Sequence, residues 1–98
     1  MFLGILRQEI PLKIVLFLLK NPNSKHGDIL KNIDVAPSTL SYHLRKLVKK
    51  GVIEVQSYGR EKIYNVINEK DIIRFLIRYK PSEILRRSKE TWTDFYIP

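Results

Sequence analysis

Pro37-Ser38-Thr39-Leu40-Ser41-Tyr42-His43-Leu44-Arg45-Lys46-Leu47-Val48-Lys49-Lys50-Gly51 decides how this chain is read. Leu40, Leu44, Leu47 and Val48 recur at helical spacing, so they form one buried stripe. Proline suits a first helical turn, and glycine suits the left-handed position just past a last one. With the leucines inside, Ser38, Thr39, Ser41, Tyr42, Arg45, Lys46 and Lys49 face outward. A short helix precedes this one, beginning at Ser24 as N-cap and running to about Asn32, with Ile29, Leu30 and Ile33 inward. Asp34-Val35-Ala36 makes a tight turn between the two. After Gly51, Val52–Gln56 and Lys62–Val66 read as strands, joined by the turn Ser57-Tyr58-Gly59-Arg60-Glu61.

Helix, tight turn, helix and hairpin, in that order, describe a winged helix-turn-helix. The expected class is α+β, mainly α, with a two-stranded β wing and an extra C-terminal helix. A helix presented this way fits the major groove of DNA. Its amino-terminal hydroxyl residues Ser38, Thr39, Ser41 and Tyr42 are placed to meet base edges or phosphates. Arg45 has the chemistry for either a guanine or a phosphate. Six Lys and Arg (Arg45, Lys46, Lys49, Lys50, Arg60, Lys62) stand against Glu54 and Glu61 between positions 43 and 62. Arg60 and Lys62 mark the hairpin tip for the minor groove or the backbone, since narrow minor grooves attract arginine. Lys25 and His26 are expected near phosphates, where helix N–H groups also favour an anion.

Composition agrees. The 98 residues carry a formal net charge of +8 and are 44% hydrophobic, which fits one domain with a modest core and a polyanionic partner. Double-stranded DNA is the expected partner. With no cysteine, disulfides and thiolate metal sites are excluded. The apolar run from Ile10 to Leu19 is about half the length that spans a bilayer, and it contains Pro11 and Lys13. No basic region precedes Phe2-Leu3-Gly4-Ile5-Leu6, which argues against a signal peptide and for a cytoplasmic protein. No catalytic constellation or phosphate-cradling glycine loop stands out, so no enzyme and no cofactor are expected.

The remaining elements frame the domain, taken as residues 1–98 with a core over 10–80. A first helix is expected over Pro11–Lys20, apolar nearly all round, a pattern that marks a central or shared helix. Asn68 is expected to cap a fourth helix from Glu69 to about Lys80. After Pro81, residues 82–96 read as a further helix for packing or dimerisation, with Leu85, Trp92 and Phe95 along one stripe.

Ser38-Thr39-Leu40-Ser41-Tyr42-His43-Leu44-Arg45-Lys46-Leu47, then Lys50-Gly51-Val52-Ile53, Tyr58-Gly59-Arg60 and Tyr64, resembles the winged-helix regulators of the ArsR and MarR type, the ArsR-like side in particular. The resemblance covers roughly residues 10–68. Richness in isoleucine and lysine is similar to archaeal winged-helix proteins. The resemblance implies a homodimeric transcription regulator, with His43 at the family's recognition-helix histidine. It implies dimerisation through the first and last helices, here Leu12 and Leu16 with Leu85, Trp92 and Phe95. Many such proteins sense metals through cysteine or histidine clusters. This chain has no cysteine, and His26 and His43 lack ligand spacing, so no metal is expected. The alternatives are a winged-helix protein-interaction module, motivated by the carboxyl-terminal aromatics, or a non-specific architectural DNA binder.

Overall fold

The computed structural model describes residues 4–79. The elements run in chain order as a 3-10 turn Gly4–Arg7, α1 Glu9–Lys20, β1 Ser24–Lys25, α2 His26–Asn32, α3 Pro37–Lys49, β2 Ile53–Tyr58, β3 Glu61–Val66 and α4 Glu69–Tyr79. The C-terminal helix expected over 82–96, with Leu85, Trp92 and Phe95, lies outside the described residues.

α1 begins two residues earlier than expected. Glu9 occupies its first turn, where a carboxylate meets the positive end of the helix dipole, and pairs with Lys13 at 3.1 Å one turn on. Pro11 also lies in this first turn, where the missing N–H costs nothing. The apolar circumference of α1 is explained by burial within the chain itself. Ile14, Val15 and Leu18 are at most 1% exposed, and they join Leu40, Leu44, Leu47, Ile53, Ile72, Ile73 and Leu76 in one core. Leu12 and Leu16, assigned to a subunit interface from the sequence, are buried in that same core and present little side chain to a second subunit.

α3 starts at Pro37, as the sequence predicts, and ends in a Schellman motif. The Val52 N–H donates to the Leu47 carbonyl and the Gly51 N–H to the Val48 carbonyl, both at 3.0 Å. Gly51 takes φ +74°, which a β-carbon would oppose. Leu47 and Val52 are both fully buried, the apolar contact that accompanies this motif. The chain therefore leaves α3 in a fixed direction and enters β2.

The sheet is where structure and expectation differ. It has three strands in the order β1-β3-β2, all antiparallel, rather than a two-stranded wing. Ser24 is not an N-cap. It pairs with Tyr64 across β1 and β3, and its buried hydroxyl donates to the Asn21 carbonyl at 2.6 Å. Asn23 takes φ +60°, a conformation that asparagine tolerates, and turns the chain out of α1. Its backbone N–H donates to Asn65 Oδ1 at 2.7 Å, and Asn65 Nδ2 returns a bond to Asn23 Oδ1 at 2.8 Å. The wing turn is two residues, not five. Gly59 takes φ +64° at its first central position, as a type II′ turn requires.

Candidate nucleic-acid interface

α3 shows an exposed face of Ser38, Thr39, Tyr42, Arg45 and Lys49, with Ser41, His43 and Lys46 half-buried beside it. The hairpin rises next to it. Between them lies an open cleft of about 620 Å³, lined by Lys25, His26, Gly27, Ser41, Leu44, Arg45, Val48, Lys49, Val55, Arg60, Glu61, Lys62 and Tyr64. Seven of the twelve residues assigned to DNA from the sequence thus meet in one concavity: Lys25, His26, Ser41, Arg45, Lys49, Arg60 and Lys62. Ser38, Thr39, Tyr42, His43 and Lys46 lie outside it on α3.

Val48 was expected in the buried stripe but is half-buried, because it forms cleft floor with Leu44, Val55 and Tyr64. Val55 is a lining residue that charge and motif reasoning passed over, and Tyr64, part of the wing motif, was not assigned to the site. Their signal is alternation along the hairpin, which is muted because β2 buries only Ile53. Burial pushes the Tyr64 phenol above its ordinary value, so it is neutral across the physiological range.

Several polar side chains are already engaged. His26 Nε2 lies 3.2 Å from Ser41 Oγ, joining the start of α2 to α3. Tyr42 is half exposed, and its ring is flanked by the Lys46 ammonium at 5.6 Å and the edge of His43 at 5.1 Å. This cation–π and edge contact limits the rotamers of the largest exposed side chain on the helix. Lys25 is paired with Glu61, Nζ lying 3.2 Å from Oε1 and 3.0 Å from Oε2. The hydrogen bond to Glu61, then its charge, raises the Lys25 pKa. At the start of α2 the position expected to attract phosphate is taken by the chain's own Asp28, whose Oδ2 accepts from the Lys25 backbone N–H at 3.1 Å.

His43 is half-buried on α3. Its Nδ1 is buried with no hydrogen-bond partner among the described residues. Burial first, then the Lys46 charge, lowers its pKa below 6.5, so the ring is neutral at pH 7 and is no phosphate-binding cation. The sign follows from linkage. The folded protein resists protonating this ring, so stability is full above the ordinary value and is lost as pH falls through the lowered one. The wild-type melting temperature should therefore drop more steeply than that of His43→Leu between about pH 7 and about pH 5. Parallel thermal melts check this, and superimposable pH profiles would count against it.

Among the described residues, no group of three or more His, Cys, Asp or Glu is placed to hold a metal ion, and no helix is long and apolar enough to cross a membrane.

Three helices leading into a hairpin, with the third helix beside a basic wing, define a winged helix-turn-helix. Residues 7–54 match the family model described as winged helix-turn-helix DNA-binding. The chain's fold is similar to that of reduced HlyU from Vibrio cholerae, with a TM-score of 0.66 and 25% identity over 80% of this chain and 83% of that one. A transcriptional regulator homologue from Pyrococcus horikoshii aligns with a TM-score of 0.71 and 24% identity, over 81% and 84%. MarR aligns with a TM-score of 0.67 and 20% identity, over 95% and 74%. No curated protein sequence is significantly similar to this chain.

Proposed function

We propose that the protein is a sequence-specific, double-stranded-DNA-binding transcription regulator that acts as a homodimer. α3 enters the major groove, and the wing over residues 57–62 lies on the minor groove or the backbone. The observation that carries this reading is the cleft, which gathers Arg45 and Lys49 from α3 with Arg60 and Lys62 from the wing. Among the described residues none of these four is held by a carboxylate, so all four are available to phosphate. A helix in one groove and a wing over the next must straddle the phosphate ridge between them, and the cleft is where that ridge would sit.

The regulator part of the proposal draws on the solved structures, two of which are described as a transcriptional regulator homologue and as MarR. The homodimer draws on the resemblance to ArsR-like and MarR-like proteins. In a dimer, two copies of α3 would meet successive major grooves, so the site would be a pseudo-palindrome with half-sites about one helical turn apart. Selection from a random duplex pool, titrated from low to physiological salt, tests the whole reading. The expected result is a pseudo-palindrome whose affinity survives physiological salt. Binding that never rises above the salt-sensitive background would favour an architectural DNA binder instead.

A further inference from the structure

Of the five Lys and Arg lining the cleft, only Lys25 is ion-paired among the described residues, and Glu61 is the only carboxylate in the lining. The sheet sets up this pair. β1 aligns Lys25 with Ile63, and Glu61 lies two residues from Ile63 on the same face of β3, a diagonal neighbour within reach of a long side chain. The two-residue wing turn fixes Glu61 there, directly after Arg60. Both carboxylate oxygens face the ammonium, yet both side chains remain about half exposed, at 52% and 57%. An exposed pair of this kind contributes little to stability. Its placement in a cleft of otherwise free cations therefore calls for an explanation other than holding the fold.

We propose that Glu61 is an affinity-setting residue of the DNA interface: it tethers Lys25 and withholds one phosphate contact from duplex of any sequence. This rests on the DNA-binding reading above. A phosphate drawing Lys25 away must break the bidentate pair and leave Glu61 unpaired beside a second negative charge. Phosphate contacts carry no sequence information, so each one withheld lowers non-specific affinity without touching base readout. Affinity for every duplex is lowered, and the ratio of specific to non-specific binding is kept.

The test is a salt titration of a fluorescent random-sequence duplex against wild type, Glu61→Gln, Lys25→Ala and the double variant. Glu61→Gln should bind more tightly, with a salt slope steeper by about 0.9, the increment of one added phosphate contact. Its advantage should shrink about 3-fold between about 50 and about 200 mM salt. Lys25→Ala should leave the slope unchanged in the wild-type background and reduce it by about 0.9 in the Glu61→Gln background. Glutamine keeps the size of the side chain and the backbone pairing of β1 with β3 is untouched, so the wing remains in place. The pair itself is read without DNA, as a fall in the Lys25 pKa on Glu61→Gln followed by NMR.

Glu61→Gln binding with an unchanged slope, or more weakly than wild type, overturns the tether and makes the pair a brace for the wing. An unmoved Lys25 pKa overturns it also. Wild-type protein that binds no duplex at any salt overturns the DNA reading, and the tether with it.

Discussion

Leu40→Ala should lower the free energy of unfolding by about 3 kcal/mol, among the largest effects of any single truncation outside α1. Leu40 is the first core residue of α3 and has no exposed surface. It enters a core built from α1, α2, the sheet and α4, so its neighbours are held from several directions and cannot collapse into the space left behind. For a domain of this size the loss corresponds to a fall in melting temperature of about 10–20 °C. Ser38→Ala, two residues earlier and exposed, should shift stability by no more than about 0.5 kcal/mol. Thermal melts of the two variants check the contrast, and near-equal melting temperatures would show that α3 is not docked through this stripe. Because α3 presents the candidate DNA contacts, Leu40→Ala should also weaken DNA binding, in step with the fraction unfolded.

α3 is the most legible element because every signal for it is local. Its stripe repeats at the helical period, Pro37 lies at its start, and Gly51 is the position its exit needs. β1 is opaque for the opposite reason. Two residues cannot show a period, and what makes them a strand is Tyr64 and Ile63, about forty positions away. Ser24 before a short helix has the local chemistry of an N-cap, and long-range pairing overrides it. The wing strands run further toward the tip than patterning suggests because both faces of outer β2 are wet, so no alternation marks where pairing continues. Net basic charge points to the candidate interface, but charge alone cannot say which cations are free. Lys25 and Arg45 are equivalent in a count of charges, and only the positions of Glu61 and Asp28 separate them.

Arg45→Ala with Lys49→Ala should cut affinity for DNA about 100-fold near physiological salt and leave sequence preference unchanged. The sequence leaves Arg45 open to guanine or phosphate, and the cleft favours phosphate. Arg45 and Lys49 lie one helical turn apart on the side of α3 that faces Arg60 and Lys62. Arg45 is also the ninth residue of the helix, about 12 Å from its start at a rise of 1.5 Å per residue. In the proposed docking the amino end enters the groove first, so Ser38, Thr39 and Tyr42 are better placed for base edges, and Arg45 and Lys49 for the ridge between grooves. Two lost phosphate contacts should make the salt slope shallower by about 1.8, and the loss should be uniform across sequences. Tyr42→Ala should behave differently, changing which base is preferred at one position of each half-site while leaving the slope nearly intact. Measured on a panel of single-base variants of the selected site, these two signatures separate the roles. A double variant that relaxed the preference at a single base pair would move Arg45 out of the cleft and onto guanine.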